Sequence, residues 1–152
     1  MTRRDFGFTL MEVMLVVIIL SVLAAVAIPR LTASSDTARE KADITSGREV
    51  KAALDRYQIE KGLYPRIGEI NAVDGKITGD GFIPDYIKRL DPSVTQQITE
   101  EGYKGFGIAE IGQGQNYPEP EKLIMIYLAS DGSQAEVKVY NKSLSEVLWS
   151  SD

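Results

Sequence analysis

The stretch that decides the fold is GFTLMEVMLVVIILSVLAAVAIP, residues 7–29. Residues 8–28 of this stretch contain a single charged side chain, Glu12, near the start of the apolar run. As a helix, residues 8–28 would be about 32 Å long at about 1.5 Å per residue, which is enough to cross the core of a bilayer. The sequence therefore predicts a membrane-spanning helix with a carboxylate close to its N-terminal end.

The residues on either side of this stretch indicate its orientation. Residues 1–7, MTRRDFG, are short and polar and carry Arg3 and Arg4. Basic residues favour the cytoplasmic side of a membrane, so we expect the N-terminus to stay in the cytoplasm. Arg30 on the far side weakens this bias without reversing it.

Two simpler interpretations compete with a specialised helix. One is a cleaved secretory signal, with Ala25-Val26-Ala27 as a small-x-small cleavage site. The other is a plain membrane anchor. Neither explains Glu12, because a carboxylate in a membrane helix costs on the order of 2.5–3.5 kcal/mol, less near the interface, and usually has a function.

The motif at the start of the apolar run also resembles a known processing site. Residues 7–12, GFTLME, follow a short basic leader and are similar to the cleavage site of type IV prepilins and type II secretion pseudopilins. The resemblance implies that a prepilin peptidase removes residues 1–7 by cutting between Gly7 and Phe8, and that the new Phe8 amine is methylated. It also implies that the Phe8 amine of one copy contacts Glu12 of another, so that the assembly residues are Phe8 and Glu12.

The same resemblance implies a life cycle for the chain. A single-pass precursor would be held in the bacterial inner membrane by residues 8–30, and an inner-membrane assembly platform would build copies of it into a periplasmic or extracellular filament. That filament could be a type IV pilus (a fimbrium), the pseudopilus of type II protein secretion, or a DNA-uptake filament. The alternative is a membrane-anchored or secreted extracytoplasmic binding module, which would be monomeric in detergent and indifferent to Glu12.

The helical pattern continues beyond the apolar stretch. Pro29 lacks a backbone donor, so we expect a kink there, and a hinge near residues 29–36 that makes two helices is the alternative. Further apolar residues recur at helical spacing until Gly62, a suitable stop. These residues are Ala38, Ala42, Val50, Ala53, Leu54 and Tyr57.

Residues 31–152, including the amphipathic half of the helix, are predicted to form one globular domain. Strands are expected at residues 103–111, 121–128 and 135–140, with a hairpin turn at residues 130–133. A short helix is expected at residues 84–90, and residues 144–149 are expected to cover a sheet edge or the base of the helix. The predicted fold class is therefore α+β, a long N-terminal helix on a small antiparallel sheet, and it resembles pilins.

Composition excludes several kinds of function. The net charge of −5 without a large basic block argues against nucleic acid as a specific partner. Histidine and cysteine are absent, which excludes imidazole-based catalysis, His-ligated zinc and thiolate chemistry. We therefore predict no enzyme activity, no catalytic residues and no cofactor. Calcium bound by loop aspartates stays open as a less favoured alternative to turn formation by the same residues, Asp74, Asp80, Asp85 and Asp131.

Overall fold

The computed structural model describes residues 8–112 and 114–152. The predicted leader, and with it Gly7, lies outside the described residues. The chain divides into two compact units, one ending at Thr37 and the other comprising Ala38–Asp152. One α-helix, α1 (Leu10–Lys61), begins in the first unit and ends in the second.

The bounds of α1 confirm the prediction of one helix rather than two. Pro29 lies inside the helix. The helix ends one residue before Gly62, whose φ of +88° places it in the left-handed region that a residue without a side chain adopts most easily. The Gly62 N–H donates to the Gln58 carbonyl at 2.7 Å and so satisfies one of the last carbonyls of the helix. The kink at Pro29 stays a prediction.

The second unit contains six strands. They are β1 (Asn71–Val73), β2 (Lys76–Thr78), β3 (Phe106–Glu110), β4 (Ile124–Leu128), β5 (Ala135–Tyr140) and β6 (Val147–Ser150). Strands β1 and β2 form an antiparallel hairpin, and the other four form one sheet in the order β3-β4-β5-β6. The predicted hairpin of β4 and β5 is confirmed, since the two strands pair antiparallel with Ile126 opposite Val137.

The α+β fold class is confirmed, with one strand pair that differs from the expected antiparallel sheet. Strand β3 pairs parallel with β4. A parallel pair needs a connection of about a dozen residues or more to return the chain to the same end of the sheet, and residues 111–123 provide it. Residues 144–149 are expected from the sequence to cover a sheet edge or the base of the helix. Part of this segment belongs to β6, which pairs antiparallel with β5 and is the last strand of the sheet.

The short helix predicted at residues 84–90 is wrong. This segment forms turns, and its last residue, Leu90, makes a β-bridge to Ile77. The Ile77 N–H donates to the Leu90 carbonyl at 2.8 Å, a pairing that a continuing helix would not allow. Leu90 is buried in the core, so packing decides the local conformation.

The main core lies between the second half of α1 and one face of the four-stranded sheet. Val137 and Val139 alternate along β5 and meet Val50 and Leu54 of α1 in one buried cluster. Burial of each such side chain stabilises the fold by about 1.5–3 kcal/mol.

The buried stripe of α1 is shifted from the one that the sequence predicted. Val50, Ala53 and Leu54 are buried as expected, whereas the stripe begins at Asp43 and Gly47. Ala38 is exposed and Ala42 only half-buried. A carboxylate and a glycine thus occupy positions where an apolar side chain would be expected, and both have a specific partner.

Gly47 lets the helix approach the sheet closely. A Cβ built at this position would lie 2.6 Å from Val139 Cγ2 and 3.4 Å from two carbons of the Trp149 ring. Asp43 is fully buried and binds a loop instead. Its two carboxylate oxygens accept the Gln96 N–H at 2.6 Å and the Gln97 N–H at 3.0 Å.

Candidate functional site

The N-terminal part of α1 presents a long apolar surface that carries one carboxylate, Glu12. The large apolar side chains between Phe8 and Leu31 are exposed by fractions from 49% at Val16 to 85% at Phe8. Soluble monomers rarely expose a contiguous apolar patch above a few hundred Å². Among the described residues, α1 is the one helix long and apolar enough to cross a membrane. This surface therefore requires lipid or other protein to cover it.

Glu12 forms a capping box with Thr9 at the start of the helix. The Thr9 N–H donates to Glu12 Oε2 at 2.9 Å, and the Thr9 hydroxyl donates to the same oxygen at 3.0 Å. In return, the Glu12 N–H donates to Thr9 Oγ1 at 3.2 Å. This reciprocal arrangement satisfies donors of the first turn, and the carboxylate charge suits the positive end of the helix dipole.

Sequence reasoning missed the role of Thr9, although a threonine three residues before a glutamate, ahead of an apolar run, is a readable capping signal. The structure brings Glu12 and Thr9 together, and both Glu12 and Phe8 are exposed. Two of the capping-box bonds end on Glu12 Oε2 and the third starts from the Glu12 N–H, so Glu12 Oε1 has no partner among residues 8–112 and 114–152. The predicted processing bond stays a prediction, since Gly7 lies outside the described part of the chain.

The hydroxyl groups of Ser21 and Thr32 are satisfied within the helix itself. The Ser21 hydroxyl donates to the Val17 carbonyl at 2.7 Å, and the Thr32 hydroxyl donates to the Ile28 carbonyl at 3.1 Å. Such bonds to the preceding turn are compatible with a hydrocarbon environment, where no water can satisfy a hydroxyl.

The loops of the second unit are tied to α1 by side chains. The Tyr86 hydroxyl donates to Glu60 Oε2 at 2.6 Å, and this bond to a carboxylate raises the pKa of Tyr86 to about 12. The Tyr64 hydroxyl donates to Asp55 Oδ1 at 2.9 Å, and Lys51 donates to both Tyr64 and Asp55. Burial opposes the charge of Lys51, yet these two hydrogen bonds leave its pKa raised.

The loop aspartates do not come together as a metal site. No group of three or more Asp or Glu side chains able to hold a metal ion occurs within residues 8–112 and 114–152. Asp131 instead forms a turn, in which its Oδ1 accepts the Ser133 N–H at 2.9 Å. Hydrogen bonds from the Ser133 hydroxyl and backbone hold the pKa of Asp131 below its ordinary value.

Comparison with known proteins identifies the same N-terminal segment. Residues 2–28 match the family described as a prokaryotic N-terminal methylation motif. No solved structure matches the chain.

Similar curated proteins are named type II secretion system core protein G. The one from Vibrio cholerae is 38% identical over 63 residues, which are 41% of this chain and 43% of that protein. The one from Aeromonas hydrophila is 34% identical over 96 residues, or 58% of this chain and 66% of that protein. The one from Pseudomonas aeruginosa is 38% identical over 82 residues, or 51% of this chain and 56% of that protein. The matched region thus spans 43 to 66% of the length of these relatives.

Proposed function

Because this chain belongs to the type IV pilin-like family, we propose that it is a structural filament subunit, made as a membrane-held precursor and assembled with copies of itself through α1. The observation that carries the proposal is the exposed apolar surface of α1, which carries a single carboxylate near its start. Lipid covers this surface in the precursor, and the same segment of neighbouring copies covers it in the filament. The role is structural rather than enzymatic.

Processing creates the charge that Glu12 needs for assembly. Cutting between Gly7 and Phe8 exposes a cationic amine on Phe8, which the peptidase then methylates. In low dielectric, a pair between this amine and a carboxylate is strong, and either charge left alone is costly. The pair therefore favours a neighbour in one register over every other arrangement.

The capping box suggests how one carboxylate serves both states. Thr9 binds Oε2 of Glu12, and a carboxylate has further acceptor sites, so the Phe8 amine of a neighbour can bind Oε1. Since Phe8 precedes Glu12 by four residues, such a contact offsets neighbouring helices by about 6 Å along their axes. Glu12 can then keep its bonds to Thr9 both in the subunit held in the membrane and in the subunit assembled into the filament.

The names of the similar proteins support one type of filament. Their names refer to type II secretion, which favours a secretion pseudopilus in the periplasm over an extracellular pilus. The partners are then other copies of this chain, a prepilin peptidase that also methylates, and an assembly platform in the inner membrane.

The test is replacement of Glu12 in the full-length chain. We expect Glu12→Leu to insert in the membrane and to be processed, but to reduce filament yield at least about tenfold, since the isolated amine loses its charge partner. Ser21→Ala is the control, because it removes a hydroxyl bonded inside its own helix. Filaments at wild-type yield from Glu12→Leu would refute the assembly role. Mass spectrometry of the mature chain should give Phe8 as the first residue, and a retained Met1 or a start at Ile28 would refute processing at Gly7.

A further inference from the structure

Arg30 lies just beyond the apolar run of residues 8–28, and it shares a helix face with Glu12. Glu12 and Arg30 are the only charged side chains in residues 8–35. Both lie in α1, and Arg30 follows Glu12 by 18 residues. At 3.6 residues per turn this separation is about five full turns, so the two side chains lie on one face, about 27 Å apart along the axis.

Arg30 is exposed and has no partner within the described part of the chain. The ion pairs formed among residues 8–112 and 114–152 do not include it. The nearest carboxylate in sequence, Asp36, follows by six residues, whereas neighbours on a helix surface are three or four residues apart. The guanidinium donors of Arg30 therefore have no partner among the residues that the structure describes.

The spacing of the two charges matches the thickness of a membrane. The uncharged residues 13–29 between them span about 26 Å, close to the hydrocarbon core of about 30 Å. Neither charge can move into this core without a penalty of several kcal/mol. When residues 13–29 fill the hydrocarbon, Glu12 lies at one surface and Arg30 at the other.

We propose that Arg30 binds the phosphate groups of phospholipids at the membrane surface opposite the leader. It thereby sets how deeply α1 lies in the membrane before assembly. A guanidinium presents a planar fork of N–H donors that fits phosphate oxygens in a bidentate manner, which lysine and glutamine cannot reproduce. The inference rests on the membrane-held precursor of the proposed function.

Loss of Arg30 should let the helix slide. Residues 31–35 after it are uncharged, so Arg30→Gln extends the stretch without charges as far as Asp36. The helix can then shift toward the leader side by about one turn, or about 5 Å, which draws residues 30–33 into the hydrocarbon and brings Ser34 to its edge. Arg30 thus prevents Glu12 from leaving its place at the membrane surface.

The absence of cysteine from the chain makes this shift measurable with a single introduced thiol. Ser34→Cys in the full-length chain, in vesicles of phosphatidylethanolamine and phosphatidylglycerol, would be labelled with a membrane-impermeant maleimide. We expect Arg30→Gln to slow labelling about fivefold or more, and Arg30→Lys to slow it less. Arg39→Gln, which removes an exposed arginine beyond the apolar segment, should leave the rate unchanged. An unchanged rate in Arg30→Gln would overturn the inference.

A second lipid tests whether phosphate is the partner. In vesicles of an uncharged galactolipid, which lacks phosphate, the difference between the Arg30 and Arg30→Gln chains should shrink to about twofold or less. A difference as large as in phospholipid would overturn the assignment to phosphate. Release of the unsubstituted chain from vesicles at alkaline pH would overturn the membrane-held precursor itself, whereas retention with unchanged labelling overturns only the role of Arg30.

Discussion

Replacing Asp43 by alanine should release the loop that contains Gln96 and Gln97 from α1 and destabilise the globular unit, which is the second unit described above (Ala38–Asp152). Asp43 is fully buried, and its carboxylate accepts the backbone N–H of both glutamines, at 2.6 and 3.0 Å. Gln96 is exposed, so water can replace the lost acceptor there. Gln97 is buried, so its N–H would be left without a partner.

These contacts set the expected magnitude. A hydrogen bond to a charged group contributes about 1.5–3 kcal/mol, so we assign about 1.5 kcal/mol to the bond from Gln96 and about 2.5 kcal/mol to the one from Gln97. Alanine is the better helix former by about 0.7 kcal/mol, which offsets part of the loss. The free energy of unfolding should therefore fall by about 3 kcal/mol in Asp43→Ala. It should fall by about half as much in Asp43→Asn, whose amide oxygen keeps one acceptor.

The single tryptophan provides the assay. Trp149 packs against α1 at Gly47, so its fluorescence in full-length chain in detergent reports the docking of helix and sheet during urea unfolding. With a slope of about 2 kcal/mol per molar urea, Asp43→Ala should lower the midpoint by about 1.5 M. Glu49→Ala, which removes an exposed carboxylate from the same helix, is the control. A midpoint shift in Asp43→Ala no larger than in Glu49→Ala would refute the role of this carboxylate.

Two further predictions concern contacts of α1 in the same unit. Gly47→Ala should destabilise the fold by about 1 kcal/mol in the urea assay, because the cost of overpacking against Val139 Cγ2 exceeds the gain of about 1 kcal/mol in helix propensity. Adding Val139→Ala should remove the clash, so additive effects of the two substitutions on the free energy of unfolding would contradict this explanation. Tyr86 should ionise near pH 12, and Glu60→Gln should lower this pKa toward the ordinary value of about 10, as followed by absorbance against a Tyr86→Phe reference. Because the pKa of Tyr86 is raised in the folded state, the stability from this bond is present below about pH 10 and is lost between about pH 10 and 12. If Glu60→Gln leaves the pKa of Tyr86 unchanged, the contact with Glu60 is not the cause of the shift.

Several features of this protein follow from short stretches of sequence. The apolar run of residues 8–28 implies a helix that needs lipid or protein around it, whatever the rest of the chain does. The end of α1 follows from Gly62, and the hairpin of β4 and β5 follows from turn residues between two apolar runs. In each case the cause lies within a few residues of its effect.

Other features depend on residues far apart in the chain. The burial of Asp43 follows from backbone donors more than fifty residues later, and Gly47 is buried because Val139 and Trp149 occupy the space of a side chain. The sequence around positions 43 and 47 gives no sign of these distant partners. A carboxylate in a helix usually indicates an exposed position, and a glycine indicates a weak helix position. The sequence pattern therefore predicted a buried stripe that begins at Ala38, five residues before its observed start at Asp43.

The same distinction applies to the sheet and to the candidate site. The parallel pairing of β3 with β4 depends on the end of the sheet at which the chain re-enters β4 after Glu110, which alternation within a strand cannot predict. At the N-terminus, Glu12 stood out in the sequence because its charge conflicts with its apolar surroundings. The structure added that both bonds from Thr9 go to the same carboxylate oxygen, a detail that the capping signal in the sequence does not give. The sequence by itself determined where this protein needs lipid or other protein around it, since composition acts locally. Tertiary structure decided which polar groups are buried in the globular unit, since each needs a partner that folding brings from a distance.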